Sequence, residues 1–163
     1  MDDIAPDHKV EAWRAFITAH AEVIGAIERT LDEEGLLPLS SYDVLVALSE
    51  TPGHRLRMRD LARYVILSRS ALTRLVDRLE AQGLIARERS GEDRRGAYAV
   101  LTEAGQHELD RTWPTYGREI QRHFARYLSD DEAEVVRKLM SRIAAAKGNP
   151  WYVGESDAAE RPS

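Results

Sequence analysis

Between Ser68 and Gln82 the sequence SRSALTRLVDRLEAQ places Leu72, Leu75, Val76 and Leu79 on one stripe of a helix. The opposite face of that helix carries Arg69, Ser70, Thr73, Arg74, Asp77 and Arg78. Arginine can bridge O6 and N7 of guanine, and hydroxyls reach phosphates or thymine edges. An N-terminal half rich in Arg, Ser and Thr, capped by Ser68, therefore suits a helix inserted into a major groove. A second cluster follows. The polar, Gly-bounded run Ser90-Gly91-Glu92-Asp93-Arg94-Arg95-Gly96 lies between two short alternating stretches, 84–89 and 97–101, and reads as the tip of a β-hairpin. A carboxylate two residues from an Arg can clamp its guanidinium, so Asp93 can hold Arg95 while the loop edge enters the narrow, negative minor groove.

A third group is aromatic. Trp13, Phe16 and His20 recur at helical spacing on the first long segment, and Tyr42 and Val46 follow on the next. Such a stripe is more often the core of a dimer than the wall of a small-molecule site, and these residues allow both uses. His8, His20, His54, His107 and His123 are scattered over separate segments, although Glu119 and His123 fall four apart on a helix. With no Cys in the chain, no thiolate zinc site, cysteine nucleophile or thiol redox sensor is available, and no metal site is expected. There is no Gly-rich phosphate loop and no local carboxylate pair or Ser, His and Asp set. The sequence points to no enzyme and no cofactor.

Charge supports a polyanionic partner. The 163 residues carry a net charge of −5, which argues against a uniformly basic nucleic-acid binder. The sign is nevertheless split along the chain. Residues 53–100 hold 11 Arg against 6 acids, and the remainder holds 12 basic against 22 acidic residues. A basic centre between acidic arms would attract DNA to the middle and repel it from the ends.

The elements needed to position these groups can be read from periodicity and punctuation. Trp13, Phe16, Ile17, Val23, Ile24, Ile27 and Leu31 predict a helix from His8 to Glu34, about 40 Å long and ended by Gly35. That is more apolar stripe than a small core can cover, so a partner chain is expected to bury it. A second helix is predicted to start near Ser40 or Ser41, either of which can N-cap, and to stop at Thr51-Pro52-Gly53. An extended piece from Arg55 to Met58, a short helix from Arg59 to Tyr64 and the turn Val65-Ile66-Leu67 lead into the Ser68 helix, which Gly83 ends. After the hairpin, Thr102 opens a helix through about Leu128, kinked at Pro114. Ser129 and Glu132 form a capping box for a last helix to about Lys147, with Val135, Val136, Leu139, Met140 and Ile143 on one face. The tail to Ser163 reads as loose, with Trp151 and Tyr152 able to dock locally.

This order of elements resembles the MarR family of winged helix-turn-helix regulators. The resemblance is carried by Leu39-Ser40-Ser41-Tyr42-Asp43-Val44-Leu45, by the helix Ser68 to Glu80 with Gly83-Leu84-Ile85 behind it, and by Asp93-Arg94-Arg95-Gly96 through Leu101-Thr102-Glu103-Ala104-Gly105. It implies a mainly α fold with a small β-hairpin wing and with N- and C-terminal dimerisation helices. It further implies a homodimer on a palindromic double-stranded DNA operator, usually a repressor that a small aromatic ligand releases. The family's wing pair falls on Asp93 and Arg95, and its recognition helix falls on Ser68 to Gln82. A peroxide-sensing branch depends on a first-helix Cys that this chain lacks.

The expected organisation is a dimerisation helix in residues 1–38, a DNA-reading domain in 39–101, further dimerisation helices in 102–148 and a tail in 149–163. The expected DNA contacts are Ser68, Arg69, Ser70, Thr73, Arg74, Arg78, Asp93, Arg94 and Arg95. The expected ligand residues are Trp13, Phe16, His20 and Tyr42. No apolar run is long enough to span a membrane, and the acidic start Met1-Asp2-Asp3-Ile4 lacks the features of a signal peptide, so a cytoplasmic protein is expected. Two other readings of the same residues are a regulator that answers to no ligand and a winged-helix module whose basic face meets an acidic partner protein.

Overall fold

The computed structural model describes residues 7–65, 67–89 and 97–153. Helix α1 (Asp7–Glu33) closes as its sequence predicts: Gly35 adopts a φ of +62°, and the Leu36 amide turns back to the Leu31 carbonyl at 2.8 Å. Helix α2 (Leu39–Ser49) begins differently from expectation. Pro38, with its φ fixed near the extended value it needs, occupies the N-cap position, and neither Ser40 nor Ser41 caps the helix. Pro38 has no side-chain acceptor, so the Leu39 amide donates instead to Glu28 Oε1 of α1 at 3.1 Å. Ser41 is buried.

After a 3-10 turn at Pro52–His54 come β1 (Arg55–Arg57), α3 (Met58–Tyr64), α4 (Arg69–Ala81), β2 (Ile85–Arg89) and β3 (Ala97–Leu101). The extended piece around Arg55 is a third strand. The sheet order is β1-β3-β2, fully antiparallel, with Arg57 opposite Tyr98 and Arg87 opposite Ala99. The predicted hairpin tip, 90–96, lies outside the described residues.

Helix α5 (Glu103–His123) contains Pro114 and stops earlier than the periodicity suggests. Phe124 leaves the helical region at φ −132° and ψ −63°, and a 3-10 turn at Ala125–Tyr127 takes up the remaining residues. The capping box opens α6 (Asp130–Ala146) as expected: the Glu132 amide donates to Ser129 Oγ at 3.4 Å, and the Ser129 amide donates to Glu132 Oε2 at 2.8 Å. Past Gly148, Trp151 docks edge-on against Tyr64 of α3, with ring centroids 5.5 Å apart.

Two cores result. The larger is built by α2, α3, α4, the sheet and the start of α5, through side chains such as Leu45, Leu48, Leu61, Leu79, Ile85 and Leu109. The smaller joins Ile27 and Leu31 of α1 to Tyr116 and Ile120 of α5, with Leu39 between them. Helix α5 thus belongs to both. Away from these cores the terminal helices are open. Trp13 is 59% exposed, and Val135 and Ile143 are 56% and 55% exposed on α6. Among the described residues, no helix is long and apolar enough to cross a membrane.

Candidate nucleic-acid interface

Helix α4 is set by its ends. Ser68 Oγ accepts from the Ala71 amide at 3.2 Å, and Gly83, at a φ of +74°, lets the chain turn into β2. Its inner stripe, Leu72, Leu75, Val76 and Leu79, is buried in the larger core. This fixes the rotation of the helix about its axis. Ser68, Arg69, Ser70, Thr73, Arg74, Asp77 and Arg78 are all exposed as a result.

The charge on that face is not self-cancelling. The carboxylates on or beside it, Asp77 and Glu80, are both engaged by Arg87 of β2, which pairs with Asp77 and reaches Glu80 at 3.3 Å. Arg69, Arg74 and Arg78 form no ion pair with any described residue. Thr73 Oγ1 donates to the Arg69 carbonyl at 3.0 Å, which holds that exposed hydroxyl down on the helix. The surface therefore presents guanidinium groups whose hydrogen-bond donors are available to a ligand.

The sheet extends the basic surface. Arg55 stacks over the Tyr98 ring at 4.2 Å and pairs with Glu88 at 3.0 Å, while Arg57 Nε donates to the Tyr98 hydroxyl at 3.0 Å. These two β1 arginines were not among the sequence-predicted contacts. Their alternation in Arg55-Leu56-Arg57 was the available signal, but only pairing with β3 puts them beside the hairpin. Asp93, Arg94 and Arg95 lie outside the described residues.

The hairpin is bolted to α5. The Thr102 amide donates to the Leu84 carbonyl at 3.2 Å, its hydroxyl donates to the Gly83 carbonyl at 2.7 Å, and the same oxygen caps α5 by accepting from the Gly105 amide at 3.0 Å. Gly105 is buried against this junction. A Cβ there would overlap the Leu84 carbonyl oxygen and come within 2.7 Å of Leu101 Cδ1.

A cleft of about 620 Å³ opens between α2 and α5. Tyr42, Val46, Ser49 and Glu50 line it from the α2 side, and Gln106, Leu109, Asp110 and Trp113 line it from α5. Of the four predicted ligand residues only Tyr42 faces this space. Trp13, Phe16 and His20 stack on one another along the open half of α1, with centroids 5.9 Å and 6.1 Å apart. Tyr42 meets Tyr116 edge-on at 5.1 Å. Burial, then the neighbouring Asp43, Glu50 and Asp110, push its phenol above the ordinary value, so it stays protonated. Among the described residues, no group of three His, Asp or Glu could hold a metal ion.

The MarR family model matches residues 35–96, from the turn after α1 to the residue before β3. The crystal structure of AbsC, a MarR family transcriptional regulator from Streptomyces coelicolor, superimposes with a TM-score of 0.78 at 32% identity, over 89% of this chain and 97% of that one. This chain belongs to the MarR family. A second MarR family regulator of Streptomyces coelicolor, Sco3205, solved in complex with DNA, gives a TM-score of 0.81 at 30% identity, over 90% of this chain and 91% of that one. The uncharacterized HTH-type transcriptional regulator YkoM of Bacillus subtilis is 27% identical over 130 residues, 80% of this chain and 82% of its own. This MarR-family chain is accordingly a DNA-binding transcriptional regulator and not an enzyme.

Proposed function

We propose that this protein is a homodimeric repressor that reads a palindromic operator and is released by a small aromatic ligand. In this reading residues 39–101 form the DNA-reading head. Residues 1–38 and 102–148 form the dimer, and 149–163 form a tail. Helix α4 enters the major groove through Arg69, Ser70, Thr73 and Arg74, with Ser68 and Arg78 toward the backbone. Asp93, Arg94 and Arg95 reach the minor groove. The observation that carries this is the set of guanidinium groups on the outer face of α4 that form no ion pair with a described residue, left uncancelled because Arg87 engages both nearby carboxylates of the helix, Asp77 and Glu80. The DNA complex of the related Sco3205 supports the same use of the fold.

The second copy covers the apolar stripes of α1 and α6. Trp13, Phe16 and His20 serve that face, and Tyr42 serves the ligand seat in the α2–α5 cleft. A ligand there sits where the dimer helices meet the reading head. It releases DNA if it prefers the half-site spacing that does not match the operator. A repressor of this kind works in the cytoplasm, where its operator is.

The test is binding of the full chain to DNA from beside its own gene and to random duplex, across a range of salt. We expect a sequence preference, with affinity falling steeply as salt rises. Arg95→Ala should weaken binding to all sequences by about 1–3 kcal/mol and flatten the salt slope, whereas Arg74→Ala should relax preference at particular base pairs. If Arg95→Ala binds operator as tightly as the native chain, the wing assignment is wrong. Equal loss on all sequences for Arg74→Ala would remove α4 from base reading.

A further inference from the structure

Resting on the reading of the α2–α5 cleft as the ligand seat, we propose that it takes an aromatic cation and discriminates against aromatic carboxylates. The walls are the Tyr42 and Trp113 rings with apolar side chains between them, and among the described residues no Lys, Arg or His lines the space. The charged groups present are Glu50 at the end of α2 and Asp110 on α5, both exposed and neither ion-paired among the described residues. Gln106 Nε2 donates to Asp110 Oδ1 at 2.9 Å, which orients this carboxylate without neutralising it.

The backbone adds to the same polarity. Pro114 lies four residues after Asp110 and has no amide hydrogen, so the Asp110 carbonyl lacks the donor that a continuous helix would supply. The Tyr42 phenol holds its proton more tightly than a free one, first because it is buried and then because Asp43, Glu50 and Asp110 lie near it.

Aromatic faces next to carboxylates form a receptor for an organic ammonium or amidinium: the rings attract the cation through their quadrupoles and the carboxylates through charge. A carboxylate ligand would lose its hydration, face two like charges and find no cation in return. A neutral aromatic alcohol falls between the two.

The proposal is tested on the full chain with three probes of similar size: benzyltrimethylammonium, benzyl alcohol and phenylacetate. Binding is followed by calorimetry and by tryptophan emission, with Trp113→Phe identifying the reporter. The cation should bind tightest, and phenylacetate should bind on the order of tenfold more weakly. In the double variant Glu50→Gln, Asp110→Asn, checked for unchanged thermal unfolding, the three affinities should converge to within about threefold. Phenylacetate binding as well as the cation would overturn the cation assignment while leaving the cleft as a ligand site. Selectivity that survives in the double variant would overturn it too, by removing the carboxylates as its source. If no probe gives a Trp113-dependent signal or calorimetric heat, the cleft itself is not the ligand seat, and both readings fall.

Discussion

Glu119 sits in the contact between α1 and α5 with only 2% of its side chain exposed. Burial alone would raise its pKa, but hydrogen bonds from Arg118 and Thr30, with Arg122 and His123 close by, hold it below the ordinary carboxylate value. The distances are 3.3 Å to Arg118 Nε, 3.3 Å to Thr30 Oγ1 and 3.2 Å to His123 Nε2. A carboxyl whose folded-state pKa is depressed stabilises the fold above its unfolded value and loses that contribution as pH falls through the folded one. Glu119→Gln should therefore cost about 1–3 kcal/mol at pH 7, and its deficit should shrink as the native chain is acidified. Urea unfolding of both proteins across the acid range measures this, and a deficit independent of pH would contradict it. The i,i+4 spacing of Glu119 and His123 was visible in the sequence. Thr30 was not, because only the crossing of two helices distant in the chain brings its hydroxyl to the carboxylate.

Local chemistry made most of the elements legible where they end on their own residues. Ser68, Thr102, Ser129 with Glu132, and the positive-φ glycines at 35 and 83 mark boundaries through groups within a few positions, so spacing alone finds them. The start of α2 was misread because its cap is Glu28, supplied by another helix. Strand β1 was seen as extended but not as part of the sheet, since three residues carry no pairing information. The junction at Thr102 and Gly105 gives two predictions for this level. Thr102→Ala removes a helix cap and a tie to Gly83, and should lower stability by about 1–2 kcal/mol, with Thr102→Ser restoring most of it. Gly105→Ala should cost about 1–3 kcal/mol, because the Leu84 backbone against which the new methyl would press cannot swing aside as a side chain can. Thermal unfolding of the three variants is the measurement. A Gly105→Ala protein as stable as the native one would mean that the contact is looser than described.

For the molecule as a whole, the long apolar stripes at both termini were readable from periodicity, and the structure leaves them open. The α2–α5 cleft was not readable. Its walls come from segments some 60 residues apart in sequence, and Glu50, Gln106, Asp110 and Trp113 carry no shared local pattern. In the proposed dimer, Leu139→Asp with Ile143→Asp should shift the protein from dimer to monomer in sedimentation at micromolar concentration. The head should still unfold cooperatively, since neither residue belongs to its core. A native chain that sediments as a monomer would end the dimer proposal. The division of charge also bears on the whole molecule. With positive charge concentrated in residues 53–100, association with DNA should slow as salt rises, an effect seen in the on-rate by stopped flow.

The close packing at Gly105 has a mechanical meaning. With no slack between the Leu84 backbone and the first turn of α5, a tilt of α5 in the proposed ligand response would be passed directly to β3, with this joint as the fulcrum. Strand β3 is five residues long, so its far end stands about 17 Å from the fulcrum. A tilt of α5 by about 12° would swing that end sideways by about 3.6 Å, close to the roughly 3.4 Å rise of one base along a DNA strand. In the proposed ligand response, a small rotation of the helix that lines the cleft would thus be enough to move the wing strand by one base step at the groove.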